Sequence, residues 1–179
     1  MQVQKLIPHR YVFPGGRVDR QDARIRSASE LHPAVAAQLA RTTPKGRGRS
    51  IAVAAIRETF EETGLIVGRP SDFPGSPAAD WEKYAAQGAA PCLKGFTFIG
   101  RAITPPYRPK RFDARFFMAE AEDVLIDERP PVDGAELHDL QWVTLADAMA
   151  LDLPNVTRFM IGEIGERLKQ RDPEAVRPP

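Results

Sequence analysis

The stretch Arg57-Glu58-Thr59-Phe60-Glu61-Glu62-Thr63-Gly64-Leu65 constrains the fold more than any other part of the chain. Its pattern predicts the last turns of a helix. At roughly 100° per residue, Glu58, Glu61 and Glu62 fall within an arc of about 100°. Ala52, Ala55, Ile56, Thr59, Phe60 and Thr63 gather on the opposite side, which is expected to be buried. Gly64 stands where the helix would stop, because glycine enters the left-handed cap with no Cβ penalty.

Three acids on one stripe repel one another, at roughly a few tenths of a kcal/mol per pair. They also sit at the end of the helix where the macrodipole disfavours anions. A chain selected for stability alone would place Lys or Arg there. A solvated acidic face would account for a bare Glu-Glu pair. Arg57, the Gly64 stop and the upstream Gly15-Gly16 turn point instead to a bound cation. Hard carboxylate oxygens at this spacing suit Mg²⁺ or Mn²⁺.

These residues resemble the second half of the Nudix box, written G-x5-E-x7-R-E-U-x-E-E-x-G-U with U a bulky apolar residue. Thr59 stands at the first U. The run Pro14-Gly15-Gly16-Arg17-Val18-Asp19-Arg20-Gln21-Asp22 resembles the first half, with Asp22 in place of the glutamate. The box is interrupted: about 34 residues separate Asp22 from Arg57, where the pattern has seven. An interrupted box preceded by Val12-Phe13-Pro14-Gly15-Gly16 is similar to a subgroup that includes the mammalian peroxisomal CoA diphosphatases. The later run from Ile103-Thr104-Pro105-Pro106 to Arg111-Phe112-Asp113-Ala114-Arg115-Phe116-Phe117 resembles that subgroup too. The C-terminus carries no Ser-Lys-Leu address, so the peroxisomal setting does not transfer.

The resemblance implies an α/β fold, a Nudix-type α/β/α sandwich with a mixed central sheet and a helical insertion, residues 23–49, within the box. One domain over 1–171 is expected, followed by a frayed tail at 172–179. The family usually carries a further strand before the Gly-Gly turn. Residues 1–13 offer only Tyr11-Val12-Phe13, so a leading strand is expected to be missing or replaced, leaving a sheet edge unpaired.

Along the insertion, Leu31, Val35 and Leu39 form an apolar stripe on a short helix. His32 is read as a surface or capping residue, and Lys45-Gly46-Arg47-Gly48-Arg49 as a mobile loop rather than a nucleic-acid patch. Strands are expected at Leu65–Val67, Phe96–Ile103, Arg111–Ala119 and Glu136–Val143. In Arg111–Ala119, alternation puts Phe112, Ala114 and Phe116 on one face. Trp81, Tyr84 and Ala85 share one side of a short helix, read as core packing ahead of an adenine or acyl platform. Thr144 is a plausible N-cap. A C-terminal helix from Asn155 should bury Val156, Phe159, Met160, Ile164 and Leu168.

The net charge of +1 gives no whole-chain attraction to nucleic acid or an anionic membrane, so neither is expected as a partner. Cys92 is the only cysteine, which excludes an internal disulfide and a multi-Cys zinc site and suits a reducing compartment. No apolar run reaches the roughly 18 residues of a membrane span, and no signal peptide is visible, so a cytoplasmic location is expected.

The chemistry read from the residues is a cation site beside a backbone turn open to phosphate. The resemblance adds water attack on a nucleoside diphosphate linked to another group. It implies Gly16 (through its carbonyl), Glu58, Glu61 and Glu62 as metal ligands, with Glu58 bound through water or acting as base. Arg57 would hold a glutamate by a bidentate pair. Glu128, Asp133 and Glu136 are alternative bases from a late loop. Tyr107, Arg108 and Arg111 in a proline-stiffened loop, with Arg115 beyond it, are candidate substrate contacts. ADP-ribose, NADH or a dinucleoside polyphosphate remains an alternative to CoA, and so does a nucleotide-sensing module without catalysis. A homodimer is left open.

Overall fold

The computed structural model describes residues 2–7, 10–133 and 137–171. Helix α2, Arg47–Thr63, carries the acidic run. Two left-handed glycines bound it: Gly46 at φ 80° and Gly64 at φ 71°, the latter donating its N–H to the Phe60 carbonyl at 2.8 Å. Ala52, Val53 and Ile56 are fully buried, and burial continues onto the flank that carries Arg57 and Glu62. The helix is therefore enclosed on more than the one face expected.

Beside it lies a hairpin of β5, Thr97–Ile103, and β6, Asp113–Met118, paired antiparallel with a register shift between Phe98 and Gly100. Strand alternation sends Phe98 and Phe117 to one face, where they pack against the cluster that includes Ala52, Val53 and Ile56 of α2. Phe116 and Met118 go to the other face, against Ile99 and the Met160 and Ile164 of α6, Asn155–Arg171. Both faces of the hairpin are thus covered by a helix, which is the α/β/α layering.

A second sheet runs β2-β1-β7, with β1 at Gln2–Ile7, β2 at Arg10–Val12 and β7 at His138–Trp142, all antiparallel. Strand β1 corrects the expectation of a missing leading strand. Its sequence, Gln-Val-Gln-Lys-Leu-Ile, has few β-formers, and Val3 pairs with Gln141, a partner no local window contains. The predicted strand at Leu65–Val67 is displaced: β3 is Gly68–Pro70, paired with β4, Ala89–Pro91, while Val67 makes only an isolated bridge to Leu125.

The insertion is fastened to the body. Helix α1, Pro33–Ala40, is capped by His32, whose Nδ1 accepts the Ala34 N–H, and buries Val35 and Leu39. Arg47–Arg49 form the first turn of α2 rather than a mobile loop, and Arg49 donates to Glu30, Ser27 and the Ile25 carbonyl. Ser29 bridges Cys92 in parallel, which supplies the mixed pairing, and the Ala28 N–H reaches the Pro91 carbonyl at 2.7 Å.

A 3₁₀ turn, Ala79–Trp81, leads into α3, Glu82–Ala85, and Trp81 and Tyr84 are fully buried, as core packing requires. Helix α4, Ala121–Val124, was not anticipated. Thr144 caps α5, Leu145–Ala150, by accepting the Asp147 N–H. On α6 the buried arc is rotated from the expected one: Thr157, Met160, Ile161 and Ile164 are inside, while Val156 and Phe159 are exposed. Phe112, placed by alternation beside Phe116, lies before β6 and is exposed. The expected tail at 172–179 lies outside the described residues. Among the described residues, no helix is long and apolar enough to cross a membrane.

Candidate active site

Pro14-Gly15-Gly16 follows β2 after Phe13 and turns the chain against the C-terminal half of α2. The Gly15 N–H donates to Glu62 Oε2 at 2.8 Å. A Cβ on Gly16 would overlap the carboxylate of Glu58, so only glycine permits this approach. The turn and two of the three acids are therefore in contact.

Arg57 organises the rest. It is buried, and its fork meets Asp22 twice, Nε to Oδ1 at 3.0 Å and Nη2 to Oδ2 at 3.1 Å. Nη1 reaches Glu61 Oε2 at 2.9 Å, while Nη2 reaches Glu58 Oε1 at 3.0 Å and the Arg17 carbonyl at 2.8 Å. One guanidinium thus faces three carboxylates. Burial alone would lower its pKa, but the hydrogen bonds and charge of Asp22, then the charges of Glu58 and Glu61, push it up, so it stays charged. Asp22, in the 3₁₀ turn Asp22–Arg24, is fully buried. The bidentate partner of Arg57 is this aspartate, not one of the helix glutamates.

The two acids beside Arg57 are under electrostatic load. Burial raises the pKa of Glu58 above the ordinary carboxylate range; Arg57 opposes this, and the charges of Glu61 and Asp22 add to it. Glu61 is raised for the same first reason, again opposed by Arg57. Glu62 is buried at 7% exposure, whereas Glu61 is exposed and is held by its ion pair with Arg57.

Among the described residues, no group of three His, Cys, Asp or Glu side chains is gathered as a ready metal cage. Glu58 and Glu61 turn to Arg57, and Glu62 turns to Gly15. The donors are nonetheless hard oxygens, carboxylates outnumber guanidinium groups, and two of them abut a bare backbone turn. That donor set fits a hard divalent cation.

The other predicted residues are placed elsewhere. Tyr107, Arg108 and Arg111 occupy the exposed turn between β5 and β6, with the Arg108 guanidinium 5.8 Å from the Tyr107 ring centroid and Arg111 Nε donating to the Thr104 carbonyl. Arg115 is committed to structure: Nη1 pairs with Asp113 at 2.8 Å and Nη2 donates to the Thr42 carbonyl at 2.6 Å, tying β6 to the insertion. Asp133 accepts the N–H groups of Asp139 and Leu140. Glu128 is exposed, and Glu136 lies outside the described residues.

One participant escaped the sequence reading. The Trp81 indole Nε1–H donates to Asp22 Oδ1 at 3.1 Å. The available signal was general: a buried tryptophan needs an acceptor for its N–H.

The NUDIX domain family matches residues 2–161, and the chain belongs to that family. A curated Caenorhabditis elegans protein, "Putative nudix hydrolase 7", is 24% identical over 152 residues, covering 78% of this chain and 42% of the relative's length. The chain thus spans less than half of that relative. A crystal structure of a NUDIX hydrolase from Alicyclobacillus acidocaldarius superposes with a TM-score of 0.68 at 27% identity, covering 90% of this chain and 81% of that one. The fold is the Nudix fold, and enzymes of this family generally use divalent metal ions.

Proposed function

We propose that the chain is a metal-dependent hydrolase that cleaves the phosphoanhydride of a nucleoside diphosphate linked to another moiety, with CoA or an acyl-CoA as its substrate. The observation that carries this reading is the contact of Glu58 and Glu62 with the Gly15-Gly16 turn, beside an arginine that gathers Asp22, Glu58 and Glu61. Negative charge is concentrated where the backbone is bare enough for a phosphate to approach.

In this reading Glu58, Glu61, Glu62 and the Gly16 carbonyl hold Mg²⁺ or Mn²⁺. When bound, the ion neutralises the diphosphate and lowers the pKa of a coordinated water. Glu58 and Glu62 take part in the chemistry, and Arg57 keeps the acids in register. Tyr107, Arg108 and Arg111 offer a ring and cations to the nucleotide, and Arg115 braces the hairpin that carries them. The free, buried Cys92 suits the cytoplasm. The CoA assignment is supported by the inserted helix within the box and by the Ile103–Phe117 run, both of which resemble the CoA diphosphatase subgroup.

The test is incubation with CoA, acetyl-CoA, ADP-ribose, NADH and a dinucleoside polyphosphate, with Mg²⁺ or Mn²⁺, and product identification by mass spectrometry. CoA should yield 3′,5′-ADP and a phosphopantetheine product. Cleavage of ADP-ribose or NADH with CoA untouched would remove the CoA assignment. Tight nucleotide binding with no product from any compound would make the chain a sensor.

A further inference from the structure

We infer that Trp81, remote from the acidic run in sequence, is a positioning residue for the proposed hydrolysis: its indole N–H fixes the Asp22 carboxylate that aims Arg57 at Glu58 and Glu61. The role in turnover rests on the function proposed above; the hydrogen-bond geometry does not.

Asp22 is fully buried and each of its oxygens takes two donors. Oδ1 accepts from Arg57 Nε at 3.0 Å and Trp81 Nε1 at 3.1 Å; Oδ2 accepts from Arg57 Nη2 at 3.1 Å and the Asp19 N–H at 2.7 Å. A carboxylate offers about four acceptor directions, so this one is saturated. The Arg57 fork alone would follow the carboxylate wherever it rotated. Asp19 pins one oxygen and Trp81 the other, and together they fix the plane in which the fork must lie.

Trp81 is itself immobile. It is fully buried, with Tyr84 edge-on at 5.2 Å and Phe73 at 6.0 Å between ring centroids. Core filling would be served by any large aromatic ring. The N–H is what distinguishes tryptophan here, and it is spent on the carboxylate that grips the central arginine. The same segment continues through α3 to β4, whose Pro91 accepts a hydrogen bond from Ala28 of the insertion. The chain that interrupts the acidic motif and the tryptophan that re-fixes its halves are thus joined.

The test uses Trp81→Phe, which keeps a ring and removes the donor. At saturating metal, kcat should fall about ten-fold and Mn²⁺ affinity, titrated without substrate, should weaken by a similar factor, as for other residues that orient ligands at one remove. KM for the diphosphate should stay within about two-fold, because Trp81 makes no substrate contact in this reading. A purely structural role would lower thermal stability and leave Mn²⁺ affinity and kcat within about two-fold, which overturns the inference. If Trp81→Phe does not fold, the indole N–H resonance of the wild-type chain decides; the only other tryptophan is Trp142, removed by Trp142→Phe to make the assignment. Arg57→Lys should shift the Trp81 resonance and speed its exchange, and an unmoved resonance overturns the inference. A wild-type chain that cleaves no diphosphate defeats the proposed function, while the Mn²⁺ titration and the resonance still test the positioning.

Discussion

The Gly15 amide donates to Glu62 Oε2 at 2.8 Å, joining a turn after β2 to the last turn of α2 across 47 residues of chain. The bond is made by one oxygen of a carboxylate that is otherwise buried. Glu62→Gln should preserve it, because a glutamine carbonyl oxygen accepts the same N–H, while the charge is lost. We therefore expect metal-dependent turnover to fall at least about 100-fold, the scale of losing a group central to transition-state charge. Thermal melting should change little. Steady-state assays beside a melt check this, and wild-type turnover in Glu62→Gln would exclude Glu62 from the site.

Gly16 separates steric from chemical failure. A Cβ there overlaps the end of the Glu58 side chain, and a flexible side chain can swing away. Gly16→Ala should thus fold, with a melting temperature within a few degrees of wild type (about 1 kcal/mol or less). Its activity should drop by about ten-fold or more, because Glu58 is displaced from the turn. A variant that loses stability and activity together would show that the turn itself, not Glu58, had failed.

Arg57 is the opposite case, where stability suffers first. Removing it strands the Asp22 carboxylate in the interior, fully buried and without its bidentate partner. Arg57→Ala should cost about 3–5 kcal/mol, as for other buried pairs broken on one side. Arg57→Lys keeps a charge but not the fork, so it should fall between the two. Urea denaturation measures both, and a loss below about 1 kcal/mol for Arg57→Ala would mean that Asp22 finds other donors.

The features legible in the sequence were those set by neighbours along the chain. The Gly64 stop, the Thr144 cap, the Val35 and Leu39 stripe of α1 and the placing of Trp81 and Tyr84 in the core all depend on local spacing or residue type. The contact of the Gly-Gly turn with the acidic helix was expected only through family resemblance. What local reading missed is set by distant partners. Strand β1 exists because β2 and β7 pair with it on either side. Arg49 reads as part of a basic loop until Glu30 and Ser27 come within reach. Val156 and Phe159 fit an apolar stripe on α6, yet the packed side of that helix is chosen by β5 and α5, which keep Met160 and Ile164 of that stripe but take Ile161 in place of Val156 and Phe159. Asp22 illustrates both limits: its place in the pattern was visible, but its partner Trp81 came from a segment that no spacing rule connects to it.

The acid limb of the stability curve should carry the signature of Asp113. Its carboxylate is held down to about 2, first by the hydrogen bonds from Arg101 and then by Arg115. A folded-state pKa below the unfolded value means that the contribution is present above about pH 4 and is lost as pH falls through about 2. The carboxylate is 44% exposed, so solvent screening limits the effect to about 1 kcal/mol or less. Arg101→Gln should therefore lower stability slightly at neutral pH and flatten the decline between about pH 4 and pH 2, with little change near pH 2 itself. Urea midpoints across that range for both proteins provide the measurement. Parallel curves, offset equally at every pH, would show that Arg101 supports β5 by packing rather than through its charge on Asp113.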